Sequence, residues 1–252
     1  GYIFRLLMER RAMKKIKGVF FDLGGTLRIC EENPGHQEKA KARMAELAGR
    51  TDVKDFIDMV EARYAPYRDW ALTENREAGD FELWHKWLLP EMDAGALEKV
   101  CYELTFQYRQ AKGKRRVVDG GLQVIRGLYE RGYRLGIISN LIGGDEIPDW
   151  LREDGLIQYF GAVILSSVCR IRKPDPEIYR LGCEELGLEP EECVSVADNL
   201  GRDITGAKAV GIGANVLFIS PEKLAKKTIT DENRPDFIVH QFKDILDLPI
   251  LQ

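Results

Sequence analysis

The chain has 252 residues, 44% of them apolar and 31% charged, which is enough to bury a sizeable core as one large domain or as a core with an insertion. Its 37 basic and 41 acidic residues are mixed along the chain, and the net charge of -4 leaves no basic stripe for nucleic acid or anionic lipid. No apolar run approaches the roughly 18 residues of a membrane span, so no membrane partner is expected. The five cysteines (Cys30, Cys101, Cys169, Cys183, Cys193) are odd in number, scattered and free of the close pairs that zinc sites use, which points to reduced thiols and a cytoplasmic location.

The opening "GYIFRLLMERRAMKK" has too short an apolar part for a signal peptide. "MKKIKGVFFDL" from Met13 resembles a natural start, so residues 1–12 read as an upstream extension or a remnant of tag cleavage. Gly18 to Leu23 is an apolar strand that meets a carboxylate, Asp22, and then turns over Gly24, Gly25 and Thr26. From about Pro34 to Lys112 every segment reads as helix. "HQEKAKARMAELAG", "DVKDFIDMVEARY", "DFELWHKWLLP" and "AGALEKVCYELTFQYRQA" repeat apolar residues at three and four.

From Val117 onward helices and short apolar runs alternate: helix 121–131, strand "RLGIIS", helix near 146–153, strand "AVILS", helix 176–186, strand "CVSVAD", helix 203–209 and strand "ANVLFIS". Strands that are apolar throughout and separated by helices imply a parallel sheet covered on both faces. The expected fold is therefore a doubly wound, Rossmann-like α/β core, residues 13–31 and 115–252, with residues 32–114 as an all-helical domain. Two linkers near "EENPG" and "KGKRRVVDGG" would join them.

Ligands of such sheets sit beyond the carboxyl ends of the strands. The first strand stops at Asp22, "RLGIIS" at Ser139 and "CVSVAD" at Asp198, with Asp203 five residues on and Lys173 opening the helix before that last strand. Each has a plain alternative, since a lone Asp or Ser at a strand end commonly caps a helix and Asp203 could be a dipole partner. Caps have no reason to converge, however, and clustered carboxylates repel one another unless a cation is present. Mg²⁺ takes carboxylates, waters and phosphate oxygens, which suits Asp22, Asp198 and Asp203. The implied substrate is a small phosphorylated molecule, its charge met by Lys173, by the Ser139 hydroxyl and by backbone N–H groups of Gly25, Thr26 and Asn140. Asp22 can then be a nucleophile that forms an aspartyl-phosphate.

"FFDLGGTL", "GIISN", "IRKPDPEIY" and "VSVADNLGRDITGAKAVGI" resemble, in order, the four motifs of the haloacid dehalogenase-like superfamily of hydrolases. The resemblance covers the whole core, and the helical insertion is similar to that superfamily's cap. It implies that Asp22 is the nucleophile and a Mg²⁺ ligand, that Ser139 and Lys173 bind phosphate, and that Asp198 is the second metal ligand. Asp203 would support the metal directly or through its water shell.

Gly24 departs from the pattern. In phosphatases of the superfamily this position is a second aspartate that protonates the leaving oxygen and then activates water. The family also uses the carbonyl here as a metal ligand, which Gly24 keeps. A positioned general acid or base contributes about 10² to 10⁴ in rate, so turnover of alkyl phosphates should suffer unless Glu31, Glu32, His36, Asp80 or His85 substitutes. Arg28 could hold a substrate anion bidentately or lie on the surface, and Tyr64, Tyr67, Trp70, Trp84 and Trp87 are expected to pack the helical domain. Three alternatives stand beside the phosphohydrolase. One is a 2-haloacid dehalogenase, which likewise lacks the second aspartate; another is a phosphonate-cleaving member using a lysine such as Lys39, Lys41 or Lys54; the third is a silent phosphate- or protein-binding module.

Overall fold

A computed structural model describes residues 14–252; residues 1–12, read above as an extension or remnant, lie outside the described residues. Six parallel strands form the main sheet: β1 (Gly18–Phe21), β4 (Arg134–Ser139), β5 (Phe160–Leu165), β6 (Cys193–Ala197), β7 (Ala214–Phe218) and β8 (Phe237–Val239), in the order β5-β4-β1-β6-β7-β8. The register sets Phe21 opposite both Ile137 of β4 and Val196 of β6. Asp22, Ser139 and Asp198 therefore emerge on one rim at the middle of the sheet. β1 lies between two strands and is buried throughout, which explains its uninterrupted apolar run.

Side chains alternate across the sheet. Val19 and Phe21 join Ile137, Val196 and Phe242 on one face, under α4 (Gly121–Glu130) and Trp150 of α5 (Glu146–Glu153). Phe20 turns to the other face, against Ile178 and Tyr179 of α6 (Pro176–Leu186) and Ala207 of α7 (Thr205–Val210). α6 begins with Asp175, whose carboxylate accepts from the Glu177 N–H, and Pro176 in its first turn; it ends at Gly187 in the left-handed conformation. The fold is the expected α/β parallel-sheet class.

The helical block, residues 34–111, holds α1 (Pro34–Leu47), α2 (Val53–Glu74), a short turn Asp80–Glu82 continuing as the wider helical stretch Leu83–Leu88, and α3 (Ala94–Ala111). α1 packs along α3 over a separate apolar cluster that includes Met44, Phe56, Tyr67, Trp84 and Tyr108. α2 runs well past the "DVKDFIDMVEARY" segment, through Pro66 to Glu74. The segments expected to be linkers are more ordered than that. β2 (Arg28–Glu31) and β3 (Lys114–Val117) pair as an antiparallel ribbon that brackets the helical block, with Arg28 opposite Val117 and Glu31 opposite Lys114. Four basic residues in "KGKRR" hid that strand, because its pairing comes from the chain closing on itself and not from an apolar pattern.

Candidate active site

The ends of β1 and β6 and the segment before α6 deliver charged side chains to one spot at the middle of the rim. Asp22 follows β1 and accepts from the Leu23 N–H at 2.8 Å. Asp198 follows β6, and Asp203 lies on the helical turn Leu200–Ile204 that leads into α7. One carboxylate oxygen from each of the three lies within 4.8 Å of the others. Lys173 reaches in from the segment before α6, its Nζ 2.7 Å from Asp203 Oδ1 and 3.2 Å from Asp22 Oδ1, and donates to the Ile138 carbonyl at 3.0 Å. Its backbone is fixed by a reciprocal pair: the Lys173 N–H donates to Asn140 Oδ1 at 2.8 Å and Asn140 Nδ2 donates to the Lys173 carbonyl at 3.0 Å. Ser139, buried at the end of β4, makes no side-chain hydrogen bond among the described residues.

Electrostatics single out this cluster. Three buried or nearly buried carboxylates face one buried ammonium, and Arg202 stands 3.9 Å from Asp203 Oδ1. Burial, then the charges of Asp22 and Asp203, push Asp198 up to about 6. Burial would lower Lys173, but the Asp203 and Asp22 charges outweigh it and hold the ammonium above its usual value. Asp203 is 1% exposed; its Oδ1 meets the Lys173 ammonium, while its Oδ2 accepts no hydrogen bond among the described residues. Buried acceptors left open in this way are costly, and a hard divalent cation is the group whose chemistry fits an all-oxygen set with surplus negative charge.

The turn after Asp22 is shaped by two glycines with different reasons. Gly25 has φ of +78°, and a Cβ there would overlap Asp198 Oδ2. At Gly24 a Cβ would meet nothing within 4 Å. The N–H groups expected as phosphate donors in this turn have partners within the protein. The Gly25 N–H donates to the Arg28 carbonyl, the Thr26 N–H to the Leu23 carbonyl, and the Thr26 hydroxyl to Asp198 Oδ1 at 3.2 Å. Gly25 and Thr26 build the turn and orient Asp198.

The residues considered as replacements for an acid at position 24 lie in other surroundings. Glu31 pairs with Arg116, Glu32 is exposed, His36 Nε2 meets Gln110 Oε1 at 2.9 Å, and His85 stacks on Phe81. Asp80 is pushed up by burial in the helical block. None of them bonds to Asp22, Lys173, Asp198 or Asp203 among the described residues. Arg28 is neither a surface residue nor free: its guanidinium is buried over the Trp150 ring at 4.5 Å and 3.4 Å from Glu146, which also binds Arg109 and Gln110 of α3. The aromatics of the helical block pack one another, Trp70 against Trp87 at 5.5 Å and Tyr64 against Tyr108 at 5.6 Å. Trp70 also lines a cleft of about 690 Å³ between block and sheet, with Phe81 and Tyr102 opposite Gly143, Ser167 and Arg170.

Residues 16–211 match the family model described as haloacid dehalogenase-like hydrolase. The chain belongs to the haloacid dehalogenase-like hydrolases. Among curated relatives, glyceraldehyde 3-phosphate phosphatase of Pyrococcus furiosus is 25% identical over 242 residues, 94% of either chain. A solved haloacid dehalogenase-like phosphatase from Thermococcus onnurineus is 25% identical with a TM-score of 0.58, covering 92% of this chain and 97% of that one. A 2-haloacid dehalogenase from Pseudomonas syringae has a TM-score of 0.65 at 19% identity, covering 92% and 97%, which is a likeness of fold.

Proposed function

We propose that this haloacid dehalogenase-like hydrolase is a Mg²⁺-dependent phosphohydrolase of small phosphorylated metabolites, with residues 32–114 as a cap over the site. The observation that carries this is the convergence of Asp22, Asp198 and Asp203 with Lys173 on one rim, supported by phosphatases among the relatives. Asp22, Asp198, Asp203 and the Gly24 carbonyl would hold the ion. Bound there, Mg²⁺ would offset charge on the phosphoryl oxygens.

The protein groups do the rest. Lys173 and the Ser139 hydroxyl hold the phosphoryl oxygens, and Asn140 fixes the segment that carries Lys173. The Asp22 carboxylate attacks phosphorus, the ester P–O bond breaks, and an aspartyl-phosphate forms on Asp22. Water then attacks that phosphoryl group, releasing inorganic phosphate and restoring the carboxylate. With glycine at position 24 no side chain there protonates the leaving oxygen or activates the water. Good leaving groups are therefore the favoured substrates.

Two alternatives fit less well. A dehalogenase has no need of the surplus carboxylates at Asp198 and Asp203. Lys39 is exposed, while Lys41 and Lys54 pair with Glu38 and Asp58 on the surface, so no lysine among these is placed for a Schiff base. Phosphate release from a panel of alkyl, aryl and acyl phosphates, with Mg²⁺ and with chelator, tests the proposal. Metal-dependent release favouring aryl and acyl phosphates is expected; halide release from a 2-haloacid in chelator, without phosphatase activity, would replace it.

A further inference from the structure

The segment joining α2 to the next turn of the helical block meets the segment carrying Lys173. The Glu77 N–H donates to the Arg170 carbonyl at 3.1 Å and the Arg172 N–H donates to the Asn75 carbonyl at 3.0 Å, so the two lie as a short antiparallel bridge. Glu77 is 2% exposed. Its Oε1 accepts from Arg172 Nη1 at 2.6 Å and from the Ser166 hydroxyl at 2.7 Å, and its Oε2 accepts from the Tyr67 hydroxyl. Tyr67 is itself held by the Ala78 N–H, at 3.1 Å.

Both core partners touch the phosphate-binding segments. Arg172 directly precedes Lys173. The Ser166 oxygen accepts from the Leu141 N–H at 2.9 Å, and Leu141 follows Ser139 and Asn140, the latter already bonded both ways to the Lys173 backbone. One buried carboxylate from the helical block thus ties the loop after β4 and the loop before α6 into a single unit. A buried charge is tolerated only when its partners are held in place, so this carboxylate orders those loops as strongly as they order it.

We propose that Glu77 is a positioning residue for phosphate binding: through Arg172 and Ser166 it sets Lys173 and Ser139 in the geometry that receives the phosphoryl group. This rests on the phosphohydrolase reading above. Lifting the helical block would leave Arg172 and Ser166 without this acceptor, so the phosphate site is complete only with the block seated.

The test measures equilibrium binding of inorganic phosphate in the presence of Mg²⁺ by calorimetry, and its competitive inhibition of aryl phosphate hydrolysis, in wild type and Glu77→Gln. Removing a charge-assisted contact of this kind should weaken phosphate binding and raise KM by about 10- to 100-fold, with a much smaller change in kcat. Glu146→Gln is the structural control, since it cuts the other buried ion pair between the block and the core; it should lower the melting temperature without weakening phosphate selectively. Unchanged phosphate affinity in Glu77→Gln, or equal weakening in both variants, overturns the proposal. Should Glu77→Gln fail to fold, Ser166→Ala decides: a loss of about 3- to 10-fold supports it and no loss overturns it. A wild-type protein that neither binds phosphate nor hydrolyses any phosphoester would remove the phosphohydrolase reading itself, an outcome distinct from a wild type that binds phosphate and a variant that matches it.

Discussion

Gly24 is the residue on which the rate of the proposed reaction turns. Its missing side chain leaves open space, so Gly24→Asp should fold without repacking. The variant is expected to turn over alkyl phosphates faster by about 10² or more, measured as kcat/KM against an aryl phosphate; an equal or lower rate in a folded variant would count against the missing acid. The added charge beside Asp22 and Asp198 should also lower stability without metal and increase the stabilisation that Mg²⁺ gives, read by thermal unfolding. Gly25 offers no such freedom. Gly25→Ala combines a positive φ with overlap on Asp198, and should cost roughly 1–3 kcal/mol in urea unfolding. The rim positions of Asp22, Ser139 and Asp198 were legible because strand ends are set by short-range apolar runs. The commitment of the Gly25 and Thr26 donors within the turn was not, since it depends on the fold of a loop with no pattern of its own.

At the level of elements, period-three-to-four and unbroken apolar runs located most of the helices and the central strands, because burial of one face or two faces writes itself into residue type. Elements held by partners far off in sequence left weaker marks: β8 is three residues long, and the β2–β3 ribbon is rich in charge. The same limit hid two buried hubs. Glu77 stands in "TENREAGD", outside the four segments whose apolar spacing marks a helix face, and Glu146 opens α5 as an ordinary first-turn acid. Glu146 in fact takes Arg109 of α3 and Arg28 of β2 together, each with a side chain under 15% exposed. Burial would raise its carboxyl, and the Arg109 and Arg28 charges reverse this and hold it below the usual value. Glu146→Ala would leave both guanidiniums buried without it, and the expected loss is about 3–5 kcal/mol in denaturant unfolding. A loss under 1 kcal/mol would show that the arginines find other acceptors.

For the whole molecule, the parallel sheet brings three acids to one rim, Asp22, the proposed nucleophile, among them, and the helical block reaches that rim from between the strands of the β2–β3 ribbon. The central claim is that Asp22 takes up a phosphoryl group under the control of a divalent ion. With glycine at position 24 the second step lacks its usual base, so the phosphorylated enzyme should accumulate during turnover. The direct measurement is borohydride trapping of the protein incubated with an aryl phosphate, followed by mass spectrometry of the peptide that spans Asp22. Reduction at Asp22 that appears with Mg²⁺ and disappears with chelator is the predicted result. An unmodified Asp22 under conditions where phosphate is released, or a label that persists without metal, would contradict it.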